Sequence, residues 1–205
     1  MYVLLVALWM CLPIAPLNPV EEDTLAAINL HLSAGVSSPN GVTSVGPQLS
    51  ASYEMLVIHP LVIRGAVDYR YGELNSRLYP NGDLHTTTFA LETFYYRGTN
   101  HLTGYIGLGA VYAISGFSLS SASADSLLDE EQVVDVELAR EFGYRITLGL
   151  RYRQSYSVEA GVTELRTDLI KWGRHGPGEW SRRSQPIRTG GFRLTFGYLL
   201  PLSRF

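Results

Sequence analysis

The 205-residue chain is long enough for one domain, and its formal net charge of −3 argues against a nucleic-acid-binding protein, which would carry a basic excess. Its 20 glycines, 13 tyrosines and 17% charged residues are unusual for a helix-rich enzyme. A single cysteine excludes an internal disulfide framework, and the five histidines lack the spacing of metal ligands. We therefore expect no cofactor, no bound metal and no nucleic-acid partner.

An apolar segment, MYVLLVALWMCLPIAPL, opens the chain and is followed by the polar, turn-prone NPVEED. At about 17 residues it is slightly longer than the apolar core of a secretion signal and near the lower limit for a membrane-spanning helix. We interpret residues 1–20 as a signal peptide. The alternatives are a retained apolar anchor and a lipid attached to Cys11.

From residue 25 onward, apolar side chains recur at every second position, which is the period of a β-strand with two unlike faces. In INLHLSAGV, for example, Ile28, Leu30 and Leu32 share one face, while His31 and Ser33 lie on the other. The same alternation recurs in PQLSASYEMLVI, LVIRGAVDYRY, TTTFALETFYY, GYIGLGAVYAI, YRITLGLRYR, SVEAGVTEL and GGFRLTFGYLL. The sequence therefore predicts eight strands.

The connections between these strands alternate in length. HP, GTNH and RQS are short, whereas SSPNGVTSVG, GELNSRLYPNGDLH, residues 115–141 and the segment around KWGRHGPGEWSRRSQP are long. In an up-and-down meander alternate connections lie at the same end, so one end carries tight turns and the other long loops. Short periplasmic turns and long extracellular loops are typical of bacterial outer-membrane barrels.

The strand length also fits a bilayer. A strand of about 11 residues, tilted by about 45°, spans about 25 Å, which is the height of the apolar band of such barrels. Lipid offers no hydrogen-bond partners, so the sheet has to close on itself. We predict an all-β fold over residues 25–205, an eight-stranded antiparallel up-and-down transmembrane β-barrel located in the bacterial outer membrane.

If the apolar faces meet lipid, the opposite faces fill the lumen. Nine charged residues lie on those faces, and their signs nearly cancel: Glu54, Arg64, Asp68, Arg70, Glu92, Arg145, Arg151, Glu159 and Arg193. Because buried charges are costly unless they are paired, we predict an ion-pair network that plugs the lumen. Five glycines on the same faces would leave room for the arginine side chains: Gly107, Gly109, Gly149, Gly161 and Gly197.

A soluble barrel of the lipocalin type is the alternative to this assignment of faces. It would turn the same apolar faces inward and leave the arginines in water.

The chain resembles the small outer-membrane barrels of the OmpA/OmpW-like superfamily over residues 25–205. The resemblance rests on FYYRGTNHLTGYIGLGAVY, on LGLRYRQSYSVEAGV and on the terminal Phe205. It implies that Phe205 closes the last strand at the periplasmic rim and that the barrel-assembly machinery recognises this strand. The apolar face changes parity between Tyr198 and Phe205, with Pro201 between them, which predicts a β-bulge.

Aromatic residues gather at membrane interfaces because their rings are amphipathic. Six residues are candidates for this role: Tyr71, Tyr95, Tyr112, Tyr152, Tyr156 and Phe205.

The two longest connections carry opposite charge. SADSLLDEEQVVDVELAREF is acidic and fits either a short amphipathic helix or an extension of the following strand. The last connection is basic and carries two tryptophans: Lys171, Arg174, Arg182, Arg183 and Arg188, with Trp172 and Trp180. These loops attract each other, contact lipopolysaccharide phosphates through arginine, or are simply solvated.

Three functions remain open from the sequence. The first is a monomeric structural or surface-interaction barrel with a plugged lumen, whose partners are outer-membrane lipid and lipopolysaccharide. The second is a narrow channel for small or hydrophobic solutes, as proposed for OmpW-like proteins. The third is a lipid A-modifying enzyme using His31 and Ser33, with Glu54 as the orienting acid. We favour the first and do not expect an enzyme.

Overall fold

The computed structural model describes residues 28–39, 45–76, 79–99, 101–119, 133–176 and 179–203, which contain ten β-strands. The strands are β1 (Ile28–Pro39), β2 (Gly46–Ile58), β3 (Leu61–Ser76), β4 (Tyr79–Gly98), β5 (Leu102–Leu119), β6 (Val133–Leu138), β7 (Glu141–Tyr152), β8 (Tyr156–Gly176), β9 (Glu179–Arg188) and β10 (Gly191–Ser203). No helix long and apolar enough to cross a membrane occurs within these described ranges. The predicted signal peptide, residues 1–20, lies outside them.

Eight of the strands close a barrel. Each of β1, β2, β3, β4, β5, β7, β8 and β10 pairs antiparallel with the next in that order. The pairing of β10 with β1 then completes the ring. The predicted eight-stranded antiparallel up-and-down barrel is confirmed, and its strands contain the eight alternating segments except for Arg153 and Gly190 at two segment ends.

The barrel keeps its apolar residues on the outside. Phe196 is 62% exposed and Leu91 and Leu150 are also exposed, whereas Arg64 on the inner face is only 2% exposed. In a strand, side chains alternate between the two faces, so one strand supplies both the apolar exterior and the polar interior. The soluble alternative, with apolar faces inward and arginines in water, is therefore excluded.

One end of the barrel, which we call the lower end, carries short connections. Residues 59–60, 99–101 and 153–155 join β2 to β3, β4 to β5 and β7 to β8. In the last of these turns Arg153 and Gln154 both have positive φ, at 48° and 57°, and the Ser155 N–H donates to the Tyr152 carbonyl at 3.2 Å.

At the opposite, upper end, two segments predicted as long loops form strands in the residues that the structure describes. GELNSRLYPNGDLH continues β3 and β4, which pair as far as Ser76 and Tyr79. KWGRHGPGEWSRRSQP likewise continues β8 and forms β9, which pair as far as Gly176 and Glu179. The ladder is formed by backbone N–H and C=O groups, so the polar side chains of these segments do not interrupt it.

The end of the acidic segment is also a strand. Val133–Leu138 forms β6, which pairs with β8 from Leu138↔Leu169 to Val133↔Gly173, rather than a helix. The rest of that connection, residues 120–132, lies outside the described residues. The upper part of β8 therefore sits between β6 and β9. We call this three-stranded extension of the barrel the distal ribbon.

The last strand carries the β-bulge that its change of parity predicts. Ile28 pairs with Ser203 and Asn29 with Pro201, so Leu202 is an extra residue on β10. An extra residue shifts every following side chain to the other face. The terminal Phe205, predicted to close this strand, lies outside the described residues.

Candidate functional site

Among the described residues, five arginines and five carboxylates lie in the lumen, each at most 8% exposed. They are the nine residues chosen from the sequence together with Glu141: Glu54, Arg64, Asp68, Arg70, Glu92, Glu141, Arg145, Arg151, Glu159 and Arg193. Charges removed from water in this way need partners of opposite sign and further hydrogen bonds. The contacts among them decide whether the barrel is open or filled.

The lower cluster, which consists of Arg64, Glu54, Glu159 and Arg151, lies nearest the short turns. Arg64 donates from Nε to Glu54 Oε1 at 2.9 Å and from Nη1 to Glu159 Oε1 at 2.6 Å. On the other side of Glu54, Arg151 Nη2 donates to Oε2 at 2.7 Å. The cluster is neutral, and it joins residues from β2, β3, β7 and β8 across the lumen.

Aromatic rings pack around the lower cluster and fill the space that its charges leave. The Arg64 guanidinium lies 4.1 Å from the centre of the Phe94 ring, and Tyr96 stacks on Tyr105 with centroids 4.8 Å apart. Tyr105 donates its hydroxyl to Glu159 Oε1 at 2.7 Å. These rings were missed in the sequence analysis, although their parity places them on the lumen faces of β4 and β5.

The lumen glycines make room for several kinds of side chain. A Cβ at Gly149 would overlap the Tyr105 ring, and one at Gly107 would overlap Phe94. The space at Gly109 is taken by Glu92, and that at Gly197 by His31 and Ser157. Only at Gly161 does an arginine, Arg193, occupy the space. The prediction that all five accommodate arginines is therefore wrong, because the neighbouring strand decides which side chain fills each gap.

The middle cluster, which consists of Asp68, Glu92, Arg145 and Arg193, lies above the lower one. Arg145 pairs with Asp68 through Nη2 and lies 3.6 Å from Glu92 Oε2 through Nη1. Arg193 lies 3.6 Å from Asp68 Oδ1. It also lies 3.4 Å from Glu159 Oε2, which links the two clusters into one network.

Arg70 and Glu141 lie above the two clusters, at the upper end of the lumen. Arg70 Nη2 donates to the Thr189 carbonyl at 2.5 Å, and the Thr189 hydroxyl donates to Glu141 Oε2 at 2.7 Å. Among the described residues, Arg70 has no carboxylate within ion-pair distance. Each of the other eight predicted charged residues has a partner of opposite charge within that distance. Glu141 was missed because it is the first residue of β7, although it has the same parity as Arg145 and Arg151.

His31 forms hydrogen bonds with serine hydroxyl groups inside the lumen. Its Nε2 lies 2.7 Å from Ser157 Oγ, and its Nδ1 lies 3.4 Å from Ser52 Oγ and 3.9 Å from Glu159 Oε1. The hydrolase set drawn from the sequence, with Ser33 beside His31, is not assembled in these contacts. The described residues also include no group of three His, Cys, Asp or Glu side chains that could hold a metal ion.

Exterior tyrosines lie near both ends of the apolar surface. Towards the lower end, Tyr95, Tyr152 and Tyr156 are exposed, and Tyr156 contacts Tyr198 with ring centroids 5.3 Å apart. Towards the upper end, the half-buried Tyr112 packs on Phe142 with centroids 4.8 Å apart.

Higher on the same exterior, the Tyr71 hydroxyl donates to Asp83 Oδ1 at 2.8 Å, which is a polar contact suited to the headgroup region. The sixth candidate, Phe205, lies outside the described residues.

No protein-family model matches the chain, and no curated protein matches it. Three solved structures are similar in fold. The outer membrane protein OprG from Pseudomonas aeruginosa has a TM-score of 0.65 at 15% identity, over 85% of this chain and 96% of that one. Neisserial surface protein A has a TM-score of 0.51 at 14% identity, over 85% and 96%. The outer membrane protein AlkL, solved in lipid bilayers, has a TM-score of 0.50 at 16% identity, over 86% and 90%.

These structures share the closed ring of strands of this chain. The chain therefore has the fold of the small eight-stranded β-barrels of the bacterial outer membrane.

Proposed function

We propose that this protein is a closed outer-membrane barrel, with its lower end in the periplasm, that holds the distal ribbon at the cell surface for a structural or surface-interaction role. The observation that carries the proposal is the continuous ion-pair network from Arg151 through Glu54, Arg64, Glu159 and Arg193 to Asp68. The chain would reach the membrane through the barrel-assembly machinery and act as a monomer.

The network opposes ion flow for two reasons. An eight-stranded barrel is only wide enough for its side chains to fill it, and here they are long and paired. An ion passing Arg64 would have to break its bonds to Glu54 and Glu159, leaving buried charges unpaired. The rings of Phe94, Tyr96 and Tyr105 form a buried cluster beside Arg64.

Single-channel recording in planar bilayers tests the closed lumen. The wild-type protein, refolded in detergent and checked by heat-modifiable gel mobility, is expected to give no steady current. The charge-balanced double variant Arg64→Ala/Glu159→Ala, which removes two long side chains and keeps the net charge, is expected to leak. Reproducible unitary currents from the wild-type protein would overturn the proposal and favour the narrow channel.

The position of His31 and Ser157 also supports a role without catalysis. Both are buried in the lumen, at the level of the paired charges, where an acyl chain from the surrounding lipid does not reach them. Expression in cells should therefore leave the acyl-chain pattern of lipid A unchanged, as measured by mass spectrometry. A change in acylation that is lost in Ser157→Ala would instead identify an enzyme.

A further inference from the structure

The outer face of β8 changes from apolar to charged where the strand leaves the apolar band. Val158, Ala160 and Val162 face outward, and the next two outward residues are Glu164 and Arg166. A strand rises about 3.3 Å per residue and is tilted by about 45°, so Arg166 lies about 9 Å above Val162 along the membrane normal. The headgroup layer is roughly 5–7 Å thick on each side of a bilayer. The Arg166 side chain therefore starts close to the depth of lipid phosphates.

A second arginine lies directly opposite the first on the neighbouring strand. Arg166 on β8 pairs with Arg188 on β9, and their side chains are 72% and 64% exposed. Like charges directly opposite one another destabilise a sheet unless an anion separates them. The anion nearby is Glu164, whose Oε1 lies 3.4 Å from Arg166 Nε and 3.9 Å from Arg188 Nε.

One carboxylate oxygen cannot satisfy two guanidinium groups. Each arginine presents five N–H donors in a planar fork that matches the spacing of phosphate oxygens. The closest approach in each of these two ion pairs is through Nε, and both reach the same oxygen, Glu164 Oε1. We propose that Arg166 and Arg188 form a binding site for a phosphate group of an outer-leaflet lipid, with Glu164 holding the two side chains in place.

The charge around the site indicates how it attracts its ligand. Asp168, the next outward residue on β8, is exposed, so the two carboxylates formally balance the two arginines. Attraction therefore depends on short-range, charge-assisted hydrogen bonds rather than on long-range steering. The site rests on the proposed orientation, with the distal ribbon on the cell-surface side, because outer-leaflet lipid reaches Arg166 only in that orientation.

Native mass spectrometry of the detergent-solubilised protein with bis-phosphorylated lipid A tests the site. The wild-type protein is expected to bind this lipid about tenfold more tightly than lipid A stripped of its phosphates, which corresponds to about one charge-assisted hydrogen bond. Arg166→Gln/Arg188→Gln should remove that preference, and Arg166→Lys/Arg188→Lys should restore part of it. Arg153→Gln, which removes an arginine at the lower end, should leave binding unchanged.

A competition with inorganic phosphate separates the two sources of the anion. If millimolar phosphate displaces lipid A from the wild-type protein, the ligand is a free phosphate and the lipid assignment is overturned. Equal binding by the wild-type protein and the glutamine variant, with heat-modifiable mobility intact in both, would also overturn the site. The closed-barrel proposal is tested by the single-channel recordings, which do not depend on lipid A binding. Either of these two results would therefore overturn the lipid-phosphate site and leave the closed-barrel proposal standing.

Discussion

At the residue scale, the lumen glycines leave space that is occupied by side chains of other residues. Gly149 on β7 faces Tyr105, and a Cβ at this position would overlap the tyrosine ring. Gly149→Ala should therefore push Tyr105 away from Glu159 and lower the free energy of unfolding by about 1–3 kcal/mol, the usual cost of overpacking. Urea unfolding in lipid vesicles, followed by tryptophan fluorescence, measures the change.

The matched control is Gly65→Ala on the outer face of β3, where a Cβ meets nothing within 4 Å. This variant should unfold close to the wild-type urea concentration. Equal destabilisation by the two alanines would show that the loss comes from the glycine backbone rather than from contact with Tyr105.

Arg64 tests whether the lumen charges depend on one another. Arg64→Met leaves the buried carboxylates of Glu54 and Glu159 without their shared partner, and removing one partner of a buried pair costs about 3–5 kcal/mol. Adding Glu159→Gln to this variant removes one of the two carboxylate charges that lost Arg64 and should recover part of the lost stability. A double-mutant cycle with urea unfolding gives the coupling energy. Purely additive effects would show that the two residues act independently.

At the element scale, the turn between β7 and β8 holds unfavourable residues. Arg153 and Gln154 both have positive φ, as a type I′ turn requires, although asparagine and glycine are preferred there. Arg153→Asn/Gln154→Gly should therefore raise the free energy of unfolding by about 1 kcal/mol, because these residues adopt positive φ with less strain. Urea titration of the refolded protein measures the gain.

Arg153→Ala separates the turn from the arginine itself. It keeps a non-glycine residue at positive φ and removes the guanidinium, which lies 5.2 Å from the centre of the Tyr152 ring. This variant should show no gain in stability. A gain equal to that of the double variant would show that the arginine head, rather than the backbone, destabilises the turn.

How far the sequence predicts each element depends on its surroundings. A strand that lies between lipid and lumen must alternate apolar and polar residues. The lipid-facing and lumen-facing residues of all eight barrel strands could therefore be predicted directly from the sequence. Above the bilayer this constraint is lost, and β9 and the upper part of β8 carry no such alternation. Contacts across the lumen, such as His31 with Ser157, depend on the closure of the ring, which no local pattern encodes.

At the scale of the whole molecule, the charged network and the distal ribbon occupy different parts of the chain. The network residues lie on the barrel strands, and the ribbon begins on β8 above Leu165, where the pairing with β7 ends. Thr189 connects the two parts, because its N–H donates to the Leu165 carbonyl at 3.2 Å and its hydroxyl donates to Glu141. The barrel should therefore fold without the outer part of the ribbon, provided that Thr189 is kept.

Shortening the ribbon tests this division. Asp168 pairs with Pro186, so replacing residues 169–185 with Asn-Gly closes a two-residue hairpin below the removed segment. The shortened protein should keep its heat-modifiable mobility and its closed state in planar bilayers, because every lumen contact from Arg151 to Glu141 remains.

Thr189→Val, a change of similar shape in the full-length chain, takes a hydrogen-bond donor from the buried Glu141 carboxylate. It should cost about 1–3 kcal/mol of unfolding free energy, more than the cost of shortening the ribbon. Loss of heat-modifiable mobility in the shortened protein alone would show instead that the ribbon stabilises the barrel.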